Sequence, residues 1–346
     1  MGIFSSADNT YLGIDIGDSS LKMVELKKRG NNLVLSNYGF SEDLGKKRFI
    51  SEEDTDYLAE TINRIRNEVG ISSKKAVASL PTFAVFSSII SINPVDKKDL
   101  QKEIEEEAKK VIPLPLEEMV LDWKIIAHKS EDSDKAMKIF LTGSPKKLVR
   151  KYISIFNKAK LTLQSLETET FSLIRALMEN DKSTVMIVEI GANSSDLFVV
   201  KESIPVLNRS IDICGGTITK AIAEKLGLSQ KQAEQVKVDL SLSKVSQSEL
   251  MPDFMKEAIK PIVSEIKYMF ESFETNYKEK IDRIILSGGS ALLFNFDKYL
   301  ADLLNINVVV GDPWARVSYP KDLQPIVKEL GPKLAVAIGL ALREID

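Results

Sequence analysis

The chain has 346 residues, 44% of them hydrophobic and 28% charged, which suits two globular domains and excludes a disordered chain or a disulfide-stapled miniprotein. Its 47 basic and 50 acidic residues are interspersed and sum to −3, so nucleic acid is not the expected main partner. A single cysteine, Cys214, and a single histidine, His128, exclude an intrachain disulfide and a His/Cys zinc site, and no apolar run approaches the roughly 18 residues of a membrane span; a cytoplasmic location is expected.

Residues 11–16 read as a short apolar strand running into Asp15 and Gly17, and residues 21–26 and 32–38 continue it as a meander. Residues 54–69 set Tyr57, Leu58, Ile62, Ile65 and Val69 at helical spacing, and residues 75–80 form a further strand before Pro81. The pattern then changes. A β-rich run at 83–92, a charged helix at 97–112 stopped by Pro113 and Pro115, strands at 120–127 and 136–142 and a helix at 145–158 make residues 83–160 an expected α+β insertion.

After a helix at 168–178, the strand 184–190 begins a second half that repeats the first in outline. It contains a glycine turn, a hairpin, the pair Gly215-Gly216, the strand-to-helix link Leu286-Ser-Gly-Gly-Ser290 and a closing apolar helix at 336–342. The internal echo is Asp15-Ile-Gly-Asp-Ser-Ser20 against Glu189-Ile-Gly-Ala-Asn-Ser-Ser195, each between two apolar strands. Two related lobes facing across a cleft would each supply one such turn. Glycine lets backbone N–H groups approach a phosphate, and an acid at the strand end suits a Mg²⁺ ion between it and the anion. Asp15 is the first magnesium candidate. Taken singly, each echo is better read as a plain β-turn; taken with Gly215-Gly216 and Gly288-Gly289-Ser290, three glycine turns at lobe-like spacing favour one shared nucleotide.

These residues resemble the actin-like ATPase superfamily, which includes actin, the heat-shock chaperone ATPases, sugar kinases and the division protein FtsA. Residues 11–17 look like its first phosphate segment, 188–191 its second and 285–290 its adenosine segment, while 166–171 and 336–341 look like the two connecting helices. Within it the chain is similar to the PilM family of type IV pilus assembly proteins, through Ser19-Ser-Leu-Lys22, Cys214-Gly-Gly-Thr217 and Gln232-Ala-Glu-Gln-Val-Lys237. The resemblance implies a two-lobed, ribonuclease H-like duplicated α/β fold with an inserted α+β subdomain 1C at 83–160. Subdomain 1A would comprise 1–82, 161–184 and 328–346, and the second lobe 185–327.

It also implies ATP and Mg²⁺ as ligands. Asp15 would order the metal through water. Gly17, Ser19 and Ser20 would cradle phosphates from one lobe and Gly191, Ser194 and Ser195 from the other, with Lys22 either a phosphate contact or an ion-pair partner. Gly215 and Gly216 would allow backbone approach, Glu234 and Lys237 would contact ribose and base, and Gly288, Gly289 and Ser290 would line the adenosine pocket. Glu169 and Glu189 take the catalytic positions, but Glu189 stands where relatives carry Asp, so nucleotide binding is better supported than rapid hydrolysis. The implied partner is the cytoplasmic N-terminal peptide of a PilN-like membrane protein in a groove between 1A and 1C, recruiting the chain to the inner face of the cytoplasmic membrane. A sugar-kinase-like phosphotransferase and an FtsA-like division filament are the alternatives, and self-association is left open.

Overall fold

Apolar side chains on both faces of the first strands dictate a sheet covered on both sides. The computed structural model describes residues 10–42, 44, 54–93, 95, 96, 98–127, 136–242 and 250–345. In it β1 (Thr10–Ile16), β2 (Leu21–Arg29) and β3 (Asn32–Ser41) form an antiparallel meander that buries Leu12, Ile14, Leu21, Met23, Val24 and Leu26. Helix α1 (Asp54–Val69) lays Leu58, Ile62 and Ile65 on one face, and β4 (Lys75–Leu80) joins β1 in parallel.

The chain then leaves the sheet. β5 (Phe86–Ile92), helix α2 (Leu100–Val111), β6 (Met119–Ala127) and β7 (Met137–Pro145) make a separate three-stranded antiparallel unit in the order β5-β7-β6. Ile90, Ile92, Ile104, Ala108, Ile139 and Leu141 are its own core. Helix α3 (Lys146–Lys158) returns: Tyr152, Ile155 and Phe156 pack with Leu12, Ile14 and Ile62 of the first lobe. The insertion expected at 83–160 therefore gives its last helix to the neighbouring core, because α3's apolar stripe faces the first sheet.

β8 (Thr162–Thr168) pairs in parallel with β4, and helix α4 (Glu169–Leu177) follows directly. Residues 166–168, read as the start of a connecting helix, end a strand. The second lobe contains β9 (Val185–Ile190), β10 (Ser195–Lys201), β11 (Ile204–Ile211), helices α5 (Gly215–Leu226), α6 (Gln230–Leu242) and α7 (Asp253–Tyr277), then β12 (Arg283–Ser287), α8 (Phe296–Leu304) and β13 (Asn307–Val310).

The lobes share one topology. The first sheet runs β3-β2-β1-β4-β8 and the second β11-β10-β9-β12-β13, each a reversed meander followed by two parallel strands. β14 (Val317–Ser318) adds to the first sheet through Val317 opposite Leu33, so the second lobe expected at 185–327 ends before it. Helix α9 (Gln324–Leu342) closes the first lobe so tightly that a Cβ on Gly13 of β1 would lie 2.0 Å from the Ala337 carbonyl oxygen.

Candidate functional site

The two echoed turns have the same backbone geometry. Gly17 N–H donates to the Ser20 carbonyl at 2.9 Å, and Gly191 N–H to the Ser194 carbonyl at 3.0 Å. They face one another: Ser194 Oγ lies 3.5 Å from Asp18 Oδ2, across the two lobes. Loops remote in sequence thus converge on one crevice, with Ser19 and Ser20 on the first rim and Ser194 on the second, all partly exposed.

The rest of the second lobe buttresses its turn. The first two N–H groups of α5, from Gly215 and Gly216, donate at 2.9 Å to the carbonyls of Gly191 and Ala192. Ser290 N–H donates to Ile190 O at 3.2 Å, and Gly288 adopts a φ of +83° where a Cβ would sit 2.5 Å from that carbonyl oxygen. Only glycine fits both demands. Gly289 faces open space.

Buried Lys237 ties this assembly together. Its Nζ donates to Gly215 O at 3.2 Å and Thr219 Oγ1 at 2.9 Å and pairs with exposed Glu234 at 2.8 Å. The lysine thereby fixes the α5 N-terminus, and Glu234 remains at the surface. Ser195 Oγ is buried with no hydrogen-bond partner among the described residues.

Hairpin register sets the electrostatics. Directly opposite partners are Asp15 and Lys22 in the first lobe and Glu189 and Asp196 in the second, so one hairpin pairs opposite charges and its counterpart pairs like charges. Lys22 Nζ lies 2.8 Å from Asp15 Oδ2, and Ser79 Oγ donates to Oδ1 at 3.0 Å. Burial works against the Lys22 ammonium, but Asp15, with Glu189 and Glu169 beyond, raises its pKa. Both Asp15 oxygens are engaged within the protein, and Lys22 is an ion-pair partner buried beneath the turn.

Glu169, Glu189 and Asp196 form an acidic group beside this pair, with ligand oxygens within 4.8 Å of one another. Burial and then the neighbouring charge of Asp196 push Glu189 up to about 8 despite Lys22. Burial and then Glu189, Asp15 and Asp196 hold Glu169 well above the usual carboxylate range, against a backbone hydrogen bond from Thr82 that favours ionisation. Hard oxygen donors in mutual repulsion fit Mg²⁺. These three carboxylates could hold a divalent cation. Asp196 was not singled out from sequence; the signal was its place opposite Glu189 once the second echo is drawn as a hairpin.

Cys214 is buried and precedes α5, its N–H donating to Thr217 Oγ1 at 2.8 Å, which is a structural capping role. His128 lies outside the described residues. A second concavity, a groove of about 290 Å³, opens beside the first turn. Leu44, Tyr57, Leu58, Phe83, Leu148 and Tyr152 line it, Lys147 and Lys151 of α3 flank it, and Gly17 and Asp18 form part of its wall.

Comparison with known proteins shows the family and the fold. The family described as type IV pilus assembly protein PilM matches residues 13–345. The solved PilM-PilN type IV pilus biogenesis complex is similar at 25% identity with a TM-score of 0.82, covering 97% of this chain and 98% of that one. MreB5 of Spiroplasma citri bound to ADP shares the actin-like fold at 14% identity and a TM-score of 0.52, covering 97% of each chain, and the same protein is also solved with AMPPNP. Cell division protein FtsA of Bacillus subtilis (strain 168) is 21% identical over 254 residues, 66% of this chain and 58% of that protein, so the match spans little more than half of its length. Among the described residues no helix is long and apolar enough to cross a membrane.

Proposed function

The chain belongs to the PilM family of type IV pilus assembly proteins, and from that premise we propose that it is a nucleotide-dependent adaptor on the cytoplasmic face of the pilus assembly platform. ATP with Mg²⁺ spans the two glycine turns and fixes the angle between the lobes, and a PilN-like N-terminal peptide occupies the groove beside the first turn. One observation carries this reading: Gly17 and Asp18 belong at once to the nucleotide turn and to the groove wall, so neither ligand can act on that turn without the other sensing it.

The residues divide by role. The turns at Gly17–Ser20 and Gly191–Ser195 receive the phosphates, with the unpartnered hydroxyl of Ser195 as one donor. Gly215 and Gly216 support the second turn from behind through their bonds to Gly191 and Ala192. Lys237 anchors α5, while exposed Glu234 and the open space at Gly289, beside buried Ser290, lie toward the nucleoside. Glu169, Glu189 and Asp196 hold the Mg²⁺, whose charge offsets their repulsion and that of the triphosphate. Glu169, bonded to Thr82, is the carboxylate placed to orient a water. Turnover is slow or accessory.

The peptide site is mainly apolar with charges of both signs, Asp18 and Asp54 against Lys147 and Lys151, which suits an extended apolar segment with polar flanks tethered to a membrane protein; through it the chain is held at the inner face of the cytoplasmic membrane. Calorimetric titration with ATP·Mg²⁺ and with the partner's N-terminal peptide tests both halves of the proposal. Micromolar binding of each is expected, and absence of both at that range would refute it.

A further inference from the structure

β6 is an edge strand: β7 pairs with one side of it, and no strand pairs with the other among the described residues. Its open side carries backbone groups. Trp123 N–H donates to the Asp122 carboxylate at 2.9 Å instead of to β7, while Thr142 Oγ1 of β7 donates to the Asp122 carbonyl at 3.2 Å. By the alternation of an antiparallel strand, Leu121, Trp123 and Ile125 direct their N–H and C=O groups to the open side. The opposite edge is occupied otherwise, since Ser87 of β5 accepts a 2.7 Å hydrogen bond from Asn208 of β11 in the second lobe.

The regular part of the exposed edge reads Leu121-Asp-Trp-Lys-Ile125, which is self-complementary about Trp123. Two copies placed antiparallel with Trp123 opposite Trp123 set Asp122 against Lys124 twice and Leu121 against Ile125 twice, all within the regular stretch that precedes the register shift at Ile126. The charged pairs fall at non-hydrogen-bonded positions, where facing side chains come closest. Asp122 then exchanges its own neighbour's N–H for the partner's ammonium, and Trp123 N–H gains a carbonyl. Val120 and Trp123 are large apolar side chains left 43% and 37% exposed. Edge strands usually carry charges that repel a second strand; here the two charges attract under two-fold symmetry.

We propose that two copies of this chain associate through β6, antiparallel about a two-fold axis at Trp123, to form a continuous six-stranded sheet. Sedimentation of the full chain from about 1 to about 200 µM should show a concentration-dependent dimer. Asp122→Lys or Lys124→Asp alone places like charges opposite one another and should weaken it roughly tenfold, while the double exchange restores complementarity and should return affinity to within about threefold of wild type. Facing Cα atoms at a hydrogen-bonded position stand about 5.5 Å apart, within disulfide range. Trp123→Cys should therefore cross-link under oxidation, whereas the wild-type chain, with Cys214 buried, should not. A chain that stays monomeric, a dimer indifferent to the charge exchanges, or a Trp123→Cys variant that fails to cross-link would each overturn the proposal.

Discussion

Thr82 holds Glu169 with two hydrogen bonds, one from its backbone N–H at 3.1 Å and one from its hydroxyl at 3.2 Å, both to Oε2. Its neighbours Pro81 and Phe83 line the apolar groove. One short segment therefore has its side chains in the proposed peptide site and its donors on the proposed metal site. Peptide and ATP·Mg²⁺ should change each other's affinity by the same factor, on the order of five-fold or more. Thr82→Val removes the hydroxyl bond and should move that factor toward one, as read by calorimetry with and without the second ligand. Equal wild-type affinities in both conditions would contradict the coupling.

The raised pKa of Glu189 gives a pH dependence of definite sign. Its folded value of about 8 against an ordinary 4.5 means that the folded chain binds the extra proton between these limits. Stability of the ligand-free protein should thus be greatest below about pH 4.5 as far as this group is concerned, fall as pH rises, and level off above about pH 8. Glu189→Gln should flatten the melting temperature over that interval. Mg²⁺ should act oppositely, binding more tightly as pH rises and releasing protons, which calorimetry in buffers of different ionisation enthalpy detects.

Asp15 and Lys22 form a buried pair, with side chains only 3% and 14% exposed. Removing one partner leaves the other charge uncompensated, so Asp15→Ala should cost about 3–5 kcal/mol of stability in urea unfolding. The double variant Asp15→Leu/Lys22→Met should recover most of that loss. A fully stable Asp15→Ala protein with weakened metal binding would mark Asp15 as a metal ligand.

Gly288 is the most constrained of the second-lobe turn residues. A methyl group there meets Ile190 O at 2.5 Å in a backbone conformation that non-glycine residues rarely adopt. Gly288→Ala should destabilise the protein by about 1–3 kcal/mol and weaken ATP binding, while Gly289→Ala, which meets no atom within 4 Å, should do neither. Parallel unfolding and nucleotide titrations compare the two.

The duplicated architecture was legible because its signals are local: apolar strands, a glycine turn and a second copy of both half a chain later. Gly17 and Gly191 even share a hydrogen-bond pattern that their matching sequences imply. What escaped depended on partners. Nothing in α3's amphipathic spacing says which sheet Tyr152 and Phe156 face, so spacing alone groups the helix with the insertion that precedes it. Drawing the hairpins in register from their short loops would have set Lys22 against Asp15 and revealed Asp196 against Glu189. The long helix α7 contributes Met255, Ile259, Ile262, Ile266 and Phe273 to the second core without any motif to announce it.

The close approach of Gly13 to Ala337 has a consequence for biosynthesis. β1 leaves the ribosome before the second lobe, yet the helix that seals it follows the whole of that lobe. The later lobe, contiguous in sequence, can assemble while the earlier one still shows an uncovered apolar face; nascent chains would carry that face until α9 emerges.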